Sequence, residues 1–350
     1  MCDSAASPVI RKEFNFIPYL RVAAMCLVTW PHMSVNLNSE WFPIQIVQWI
    51  FTRPLHIIQN FGALGVCIFY LISGFLMAQN TRWGLPYFFR RLLRVYLTVP
   101  LSMLIFFLFN CCLSSIFHLA SYWDQFTLLQ WIQSATLWNY LWCFPDAVNG
   151  VLWYLFPLLC VDIIYTLCNL FKKKSSIHFI LITDIWILVS TYFLPKFTQI
   201  PVGFSRGAPF MAIPMFGVII HLAYTKKVSG KLIISLGFLN YLVLISSFYL
   251  QYNAYYETEP YIVSMMYAML IFTVMLLSPP PPSKRWIAHC SKISYSFYIT
   301  HSLYGGYMIS FVSPKVCYTV AFLCGIAFAF LMANINYLFV EKNIAKYILR

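Results

Sequence analysis

The chain has 350 residues, of which 61% are hydrophobic, 19% aromatic and only 9% charged, and its mean hydropathy is +0.73. Soluble domains carry about 45–50% apolar and about 25% charged residues, so a water-soluble protein is excluded; at about 20 apolar residues per crossing the length accommodates about ten transmembrane helices, an all-α integral membrane protein. A net charge of +13 would suggest nucleic acid if the chain were soluble, but in a polytopic membrane protein it reflects Lys and Arg retained in cytoplasmic loops, and no nucleic-acid partner is expected.

The first thirteen residues are polar and run into an apolar stretch without a small-residue cleavage site, so no removable signal peptide is expected. Apolar stretches of spanning length follow at about 16–35, 61–80, 95–113, 150–170, 177–195, 207–225, 232–250, 261–278, 293–312 and 317–340. The cations between them alternate: Arg11 and Lys12, Arg82 with Arg90, Arg91 and Arg94, Lys172 to Lys174, Lys226, Lys227 and Lys231, Lys284, Arg285 and Lys292, and Lys342, Lys346 and Arg350 make eighteen on one side. Only Arg53, Lys196, Arg206 and Lys315 make up the four on the other, and Arg21 falls inside the first span. That bias puts both termini in the cytoplasm. The outer segments carry Glu40, Asp124, Asp146, Glu257 and Glu259 instead.

No Lys or Arg occurs from 95 to 171, consistent with two spans joined by an outer segment of about 36 residues that holds Trp123, Trp131, Trp138 and Trp142. Indole rings favour the membrane interface, and a carbohydrate-stacking surface is the other reading. Of the eleven cysteines, Cys26, Cys67, Cys160, Cys168 and Cys324 lie in apolar runs as small hydrophobes, whereas Cys111, Cys112 and Cys143 leave room for one outer bridge. Pro279 to Pro282 end the eighth span and stiffen the cytoplasmic linker after it. No internal repeat is visible, and one domain over 1–350 is expected, with no fused extracytoplasmic domain.

An ionisable side chain in the bilayer core costs at least a few kcal/mol, which makes each one a functional candidate: Arg21, His32, Asp162, Asp184, His221 and His301. Arg21 and His32 are eleven residues apart, three helical turns plus about 20°, so they share a face and are separated by about 16 Å along the axis. Such a pair can hold a long anionic ligand that enters from the cytoplasm and reacts at its far end; alternatively Arg21 snorkels to the inner interface and His32 caps the outer end beside Pro31. The glycines of Gly62–Leu76 suit close helix packing. Arg90, Arg91 and Arg94 fall within an arc of about 100°, an arrangement suited to phosphate or to anchoring on the cytoplasmic side. His301 lies about 12 Å into the ninth helix, level with His32. Asp162 and Asp184 sit in the inner halves of their helices, placed to pair with arginines or with each other, and His221 is read as interfacial.

Four stretches together resemble the membrane acyltransferase 3 family: Arg21 through His32; Gly62 to Leu76 with Ser73-Gly74-Phe75-Leu76; Tyr87 to Arg94; and Ser294-Tyr295-Ser296-Phe297-Tyr298-Ile299-Thr300-His301. Leu152-Trp153-Tyr154-Leu155 and Val340-Glu341-Lys342 add weaker support. The resemblance implies a ten-helix enzyme that uses cytoplasmic acyl-CoA, usually acetyl-CoA, to acylate a hydroxyl of a bacterial surface glycan or lipid-linked sugar at the outer face, in a bacterial inner membrane. It implies no permanently bound cofactor. Under it His32, Arg21 and His301 are the catalytic candidates, while Arg90, Arg91, Arg94 and Ser73 face the acetyl-CoA donor. Attack by the acceptor and transient acetylation of His32 both remain open, and Ser73 is read as a packing element in preference to an acyl carrier. Three positions depart from the family pattern: Cys67 stands where an acidic residue is frequent, Pro31 precedes His32, and Leu97 replaces a common proline. The competing classes are a transporter or flippase for a glycolipid, for which no paired interrupted helices are seen, and a scaffold, which leaves the intramembrane Arg21, His32 and His301 unexplained.

Overall fold

The computed structural model describes residues 14–34, 38–57, 61–80, 84–117, 125–142, 148–170, 175–197, 206–250 and 258–348. Arg11, Lys12, Arg82, Trp123, Asp124, Cys143, Asp146, Lys172 to Lys174, Glu257 and Arg350 lie outside the described residues. Every regular element among those described is helical.

Along the chain run α1 (Phe16–Met33), α2 (Gly62–Gln79), α3 (Leu85–Tyr96), α4 (Thr98–Phe117), α5 (Leu155–Leu170), α6 (Ser176–Leu188), α7 (Ala212–Thr225), α8 (Gly230–Leu250), α9 (Thr258–Leu277), α10 (Arg285–Thr300), α11 (Gly306–Val312), α12 (Tyr318–Asn336) and α13 (Lys342–Ile348). Among the described residues, eight segments are long and apolar enough to cross a bilayer. The other two of the ten expected spans are α1 and the α10–α11 pair, whose hydropathy is diluted by the groups that make them interesting: Arg21 and His32 in one, His289, Lys292 and His301 around the other. The chain is a multi-pass membrane protein.

Helix α2 packs against α1, α7 and α9 at the centre. In lipid, with no hydrophobic drive between helices, small residues let backbones approach, and the glycines read as packing elements do this. A Cβ built on Gly74 would lie 1.8 Å from the Pro214 carbonyl oxygen, and one on Gly65 would lie 2.8 Å from that of Ala24. The facing helix reciprocates, since a Cβ on Gly217 would lie 2.3 Å from the Leu71 carbonyl oxygen. Gly74→Ala must therefore push backbone from backbone. Overpacking costs typically about 1–3 kcal/mol, and a rigid neighbour puts this site at the upper end or beyond; the expected result is a lower melting temperature of the detergent-solubilised protein.

Helix α3 lies at the surface of the bundle and has no buried residue. Leu85, Phe89 and Leu93, four residues apart, form its exposed apolar stripe, suited to lipid. The chain turns at Leu97 before α4 begins, and Thr98 closes the turn by donating its hydroxyl to the Arg94 carbonyl at 2.5 Å. The Tyr19 hydroxyl at the start of α1 donates to the Pro282 carbonyl at 2.6 Å, fixing the proline linker.

Two expectations need correction. Trp131 is not an interfacial anchor: it is buried, with its ring 5.4 Å from Phe107 and 6.4 Å from Phe106, because the short helix Leu128–Ala135 folds back onto α4. Trp138 is exposed. His221 is buried rather than interfacial, its ring 5.1 Å from Phe75. Cys111 and Cys112 are free thiols.

Candidate active site

The site is built from the outer end of α1 inward. Pro31 has no N–H and cannot donate to the Leu27 carbonyl, yet the helix continues to Met33. Beyond it, the Ser34 amide and hydroxyl both donate to the Trp30 carbonyl, at 3.0 and 2.5 Å, and close the helix. The cap is therefore Ser34, and His32 points elsewhere. Its ring lies against that of His301, centroids 5.4 Å apart and planes at 60°.

His301 opens a π-helical turn, His301–Gly305, inserted between α10 and α11. Such turns are rare and frequent at functional sites. This one is seated on the end of α1, where a Cβ on Gly305 would lie 2.5 Å from the Met33 methyl. The fully buried His301 ring stacks on Phe297, centroids 5.8 Å apart and planes at 3°. Its Nδ1 is 2.7 Å from the Tyr298 carbonyl oxygen and 3.2 Å from that of Phe297. A carbonyl only accepts, so Nδ1 carries the proton and Nε2 presents a lone pair. Among the described residues that Nε2 is buried without a hydrogen-bond partner. The turn below is pinned from outside: Asn149 Nδ2 donates to the Ile299 carbonyl at 2.8 Å, and the Tyr298 hydroxyl donates to that of Val151.

The second part of the site is a cavity of about 420 Å³ between α1, α2, α3, α5 and α10. Arg21, Arg90, Arg91, Arg94 and Lys292 line it, with Glu341 the carboxylate in its wall. Arg21 thus turns inward to the cavity and does not snorkel along the lipid face. Two arginines are held by acids from distant helices. Arg91 Nε donates to Asp162 Oδ2 at 2.8 Å, and Arg94 Nη2 to Glu341 Oε1 at 3.2 Å. Asp162 and Glu341 are each 2% exposed at the side chain. Glu341 Oε2 also accepts from the Ser296 hydroxyl at 2.8 Å; Asn336 Nδ2 donates to Ser296 Oγ at 3.1 Å, and Asn336 Oδ1 accepts from Ser102 at 2.6 Å. A buried polar chain therefore anchors Arg94 to α4, α10 and α12. Asp184, by contrast, pairs with neither an arginine nor Asp162; both its carboxylate oxygens lack a hydrogen-bond partner among the described residues.

Ser73 lines the cavity and donates to the Phe69 carbonyl at 2.9 Å, so its hydroxyl is engaged by its own helix. The structure brings Arg21, Ser73, Arg90, Arg91 and Arg94 to one cavity and puts His32 and His301, which the sequence placed only at one depth, into ring contact. Sequence reasoning missed Lys292 as a wall of the cavity and Glu341 as an arginine partner, although Glu341 sat in one of the weaker family-like stretches.

These features define a multi-pass membrane protein with a cation-lined cavity beside Arg21 and, at the other end of α1, a histidine pair of which His301 is fully buried and His32 partly so. A family model described as an acyltransferase domain matches residues 14–334, nearly the whole chain. The chain belongs to this family, the acyltransferase 3 family, and is a membrane acyltransferase. Comparison with curated proteins and with solved structures gives no match.

Proposed function

We propose that the protein is an O-acetyltransferase of a bacterial cytoplasmic (inner) membrane that moves an acetyl group from cytoplasmic acetyl-CoA to a hydroxyl of a surface glycan or its lipid-linked precursor, such as the lipopolysaccharide O-antigen. The observation that carries this reading is the cavity wall of five cations and one carboxylate within the helical bundle. That surplus calls for a polyanion, and the phosphates of CoA are one, with a long neutral arm that ends in the reactive thioester. Guanidinium groups donate paired hydrogen bonds to phosphate. Arg90 and Arg94, both exposed on α3, meet the phosphates first; Arg91 and Arg21 stand deeper, and Ser73 offers its oxygen to the arm.

At the far end, the histidine pair supplies acid–base chemistry. His301 holds its proton on Nδ1 and keeps Nε2 free of its own helix, in a ring that lies against His32, and His32 meets the acceptor. As the acceptor oxygen adds to the thioester carbonyl, its proton passes to imidazole; the C–S bond then breaks and the CoA sulfur takes the proton back. The products are the acetyl ester and free CoA, and no external oxidant or reductant enters.

Membranes containing the protein, given acetyl-CoA labelled in the acetyl group and an extract of bacterial surface glycans, are expected to move label into glycan, and His32→Ala membranes to do so at least about a hundredfold more slowly. Undiminished transfer by the variant removes His32 from the chemistry. No transfer by the wild type to any glycan class overturns the acetyl-CoA-to-glycan assignment.

A further inference from the structure

The cavity and the histidine pair do not meet. Neither His32 nor His301 is among the described residues that line the cavity. On three separate elements, the lining residue farthest from the cytoplasm is an aromatic ring. On α2, which runs inward, Phe69 precedes Ile72, Ser73 and Leu76; at the head of α5, Tyr154 precedes Leu155 and Leu158; on α10, which runs outward, Tyr298 follows Ser294 and Tyr295. The three rings touch one another. Centroids lie 6.3 Å apart for Phe69 and Tyr154, 6.1 Å for Phe69 and Tyr298, and 5.4 Å for Tyr154 and Tyr298. These are packed aromatic distances, which leave no passage for a methylene chain. Beyond them, Tyr298 is 6.0 Å from His301, itself 5.4 Å from His32.

The tethers on the rings are unequal. The Tyr298 hydroxyl is bonded to the Val151 carbonyl, and the Tyr154 ring packs on Tyr70, centroids 4.4 Å apart, while the Tyr70 hydroxyl donates to the Tyr154 carbonyl at 3.1 Å. Phe69 has no polar atom to hold it. It is also the one half-exposed side chain between Gly62 and Ile72, with open cavity beside it.

We propose that Phe69, Tyr154 and Tyr298 form a gate between the donor cavity and the histidine pair, with Phe69 as the leaf that moves. Closed, it keeps cytoplasmic water from the histidines; the pantetheine arm, drawn in by its phosphates, displaces Phe69 and carries the thioester through. The proposal rests on the acetyl-CoA reading for the identity of what passes, but not for the barrier itself. Phe69 then decides between two fates of the thioester. With the gate lost, water can replace the acceptor: its oxygen adds to the carbonyl, the C–S bond breaks, one of its protons goes to the CoA sulfur and acetic acid leaves with the other.

The test uses the full-length protein in inside-out vesicles, which expose the cytoplasmic face. In the His32→Cys background, a membrane-impermeant methanethiosulfonate is added, and modification at position 32 is followed by peptide mass spectrometry, which separates it from the native cysteines. Adding Phe69→Ala is expected to raise the labelling rate at least tenfold; Phe69→Leu, a smaller change that preserves helix packing, is expected to raise it less and serves if the alanine variant does not fold. With His32 intact, Phe69→Ala should also hydrolyse acetyl-CoA faster without acceptor. An unchanged labelling rate in the folded variants overturns the gate. Faster labelling with no acetyl-CoA turnover in any variant leaves the barrier standing and removes acetyl-CoA as what crosses it.

Discussion

Replacement of His32 by alanine is expected to lower acetyl transfer by about 10²–10⁴-fold, the range for loss of a positioned acid–base group, and His301→Ala by a comparable factor. The more telling result concerns the double variant. The two rings lie 5.4 Å apart, and the only nitrogen of His301 not bonded to its own helix is Nε2. Groups that act as a unit give strongly non-additive losses. His32→Ala/His301→Ala is therefore expected to be about as slow as the slower single variant. Initial rates of labelled acetyl transfer, at equal amounts of folded protein, make the comparison. Losses that multiply would show that the histidines act in separate steps and would break the pair assigned here.

The second large effect separates two jobs done by neighbouring arginines. Arg91 is bonded to Asp162, whose carboxylate is almost wholly buried. Removing one partner of a buried ion pair leaves an uncompensated charge and costs about 3–5 kcal/mol, so Arg91→Ala is expected to melt far below the wild type in detergent. Arg91→Ala/Asp162→Asn removes that charge and should recover much of the stability, while its KM for acetyl-CoA stays raised. Arg90, one residue earlier, faces out of the bundle at the cavity rim. Arg90→Ala should raise that KM with no change in melting temperature. If Arg90→Ala left KM untouched and the double variant regained wild-type KM with its stability, the arginines would be anchors and not phosphate ligands.

The ten spans were legible because bilayer thickness imposes one length on every apolar run. Depth could be read in the same way: residue spacing placed His32 and His301 at one level. Lateral neighbours could not. Nothing in a stretch ending at His32 says that α10 lies beside it, or that a π-helical turn rotates His301 toward it; that contact depends on Gly305 seating against Met33. The arginine pairs are hidden for the same reason, since Arg91 and Asp162 are 71 residues apart and Arg94 and Glu341 are 247. Trp131 misled because an aromatic residue in an outer segment can serve the interface or fold back as core, and only tertiary packing decides. The gate was invisible: Phe69, Tyr154 and Tyr298 are ordinary apolar-run residues until three helices bring their rings together.

The packing of α2 has a consequence for how such an enzyme changes over time. The flank of the helix with Gly74 abuts the α7 backbone and cannot accept even a methyl group, while Phe69, Ser73 and Leu76 look into open cavity. Mutations are thus sorted by which flank they strike. One flank is frozen and holds the helix in register; the other can exchange side chains without moving the backbone. Variation along that open flank gives the lineage a route to new donors or altered leak rates while the scaffold stays fixed, and directed-evolution libraries aimed at donor preference belong there.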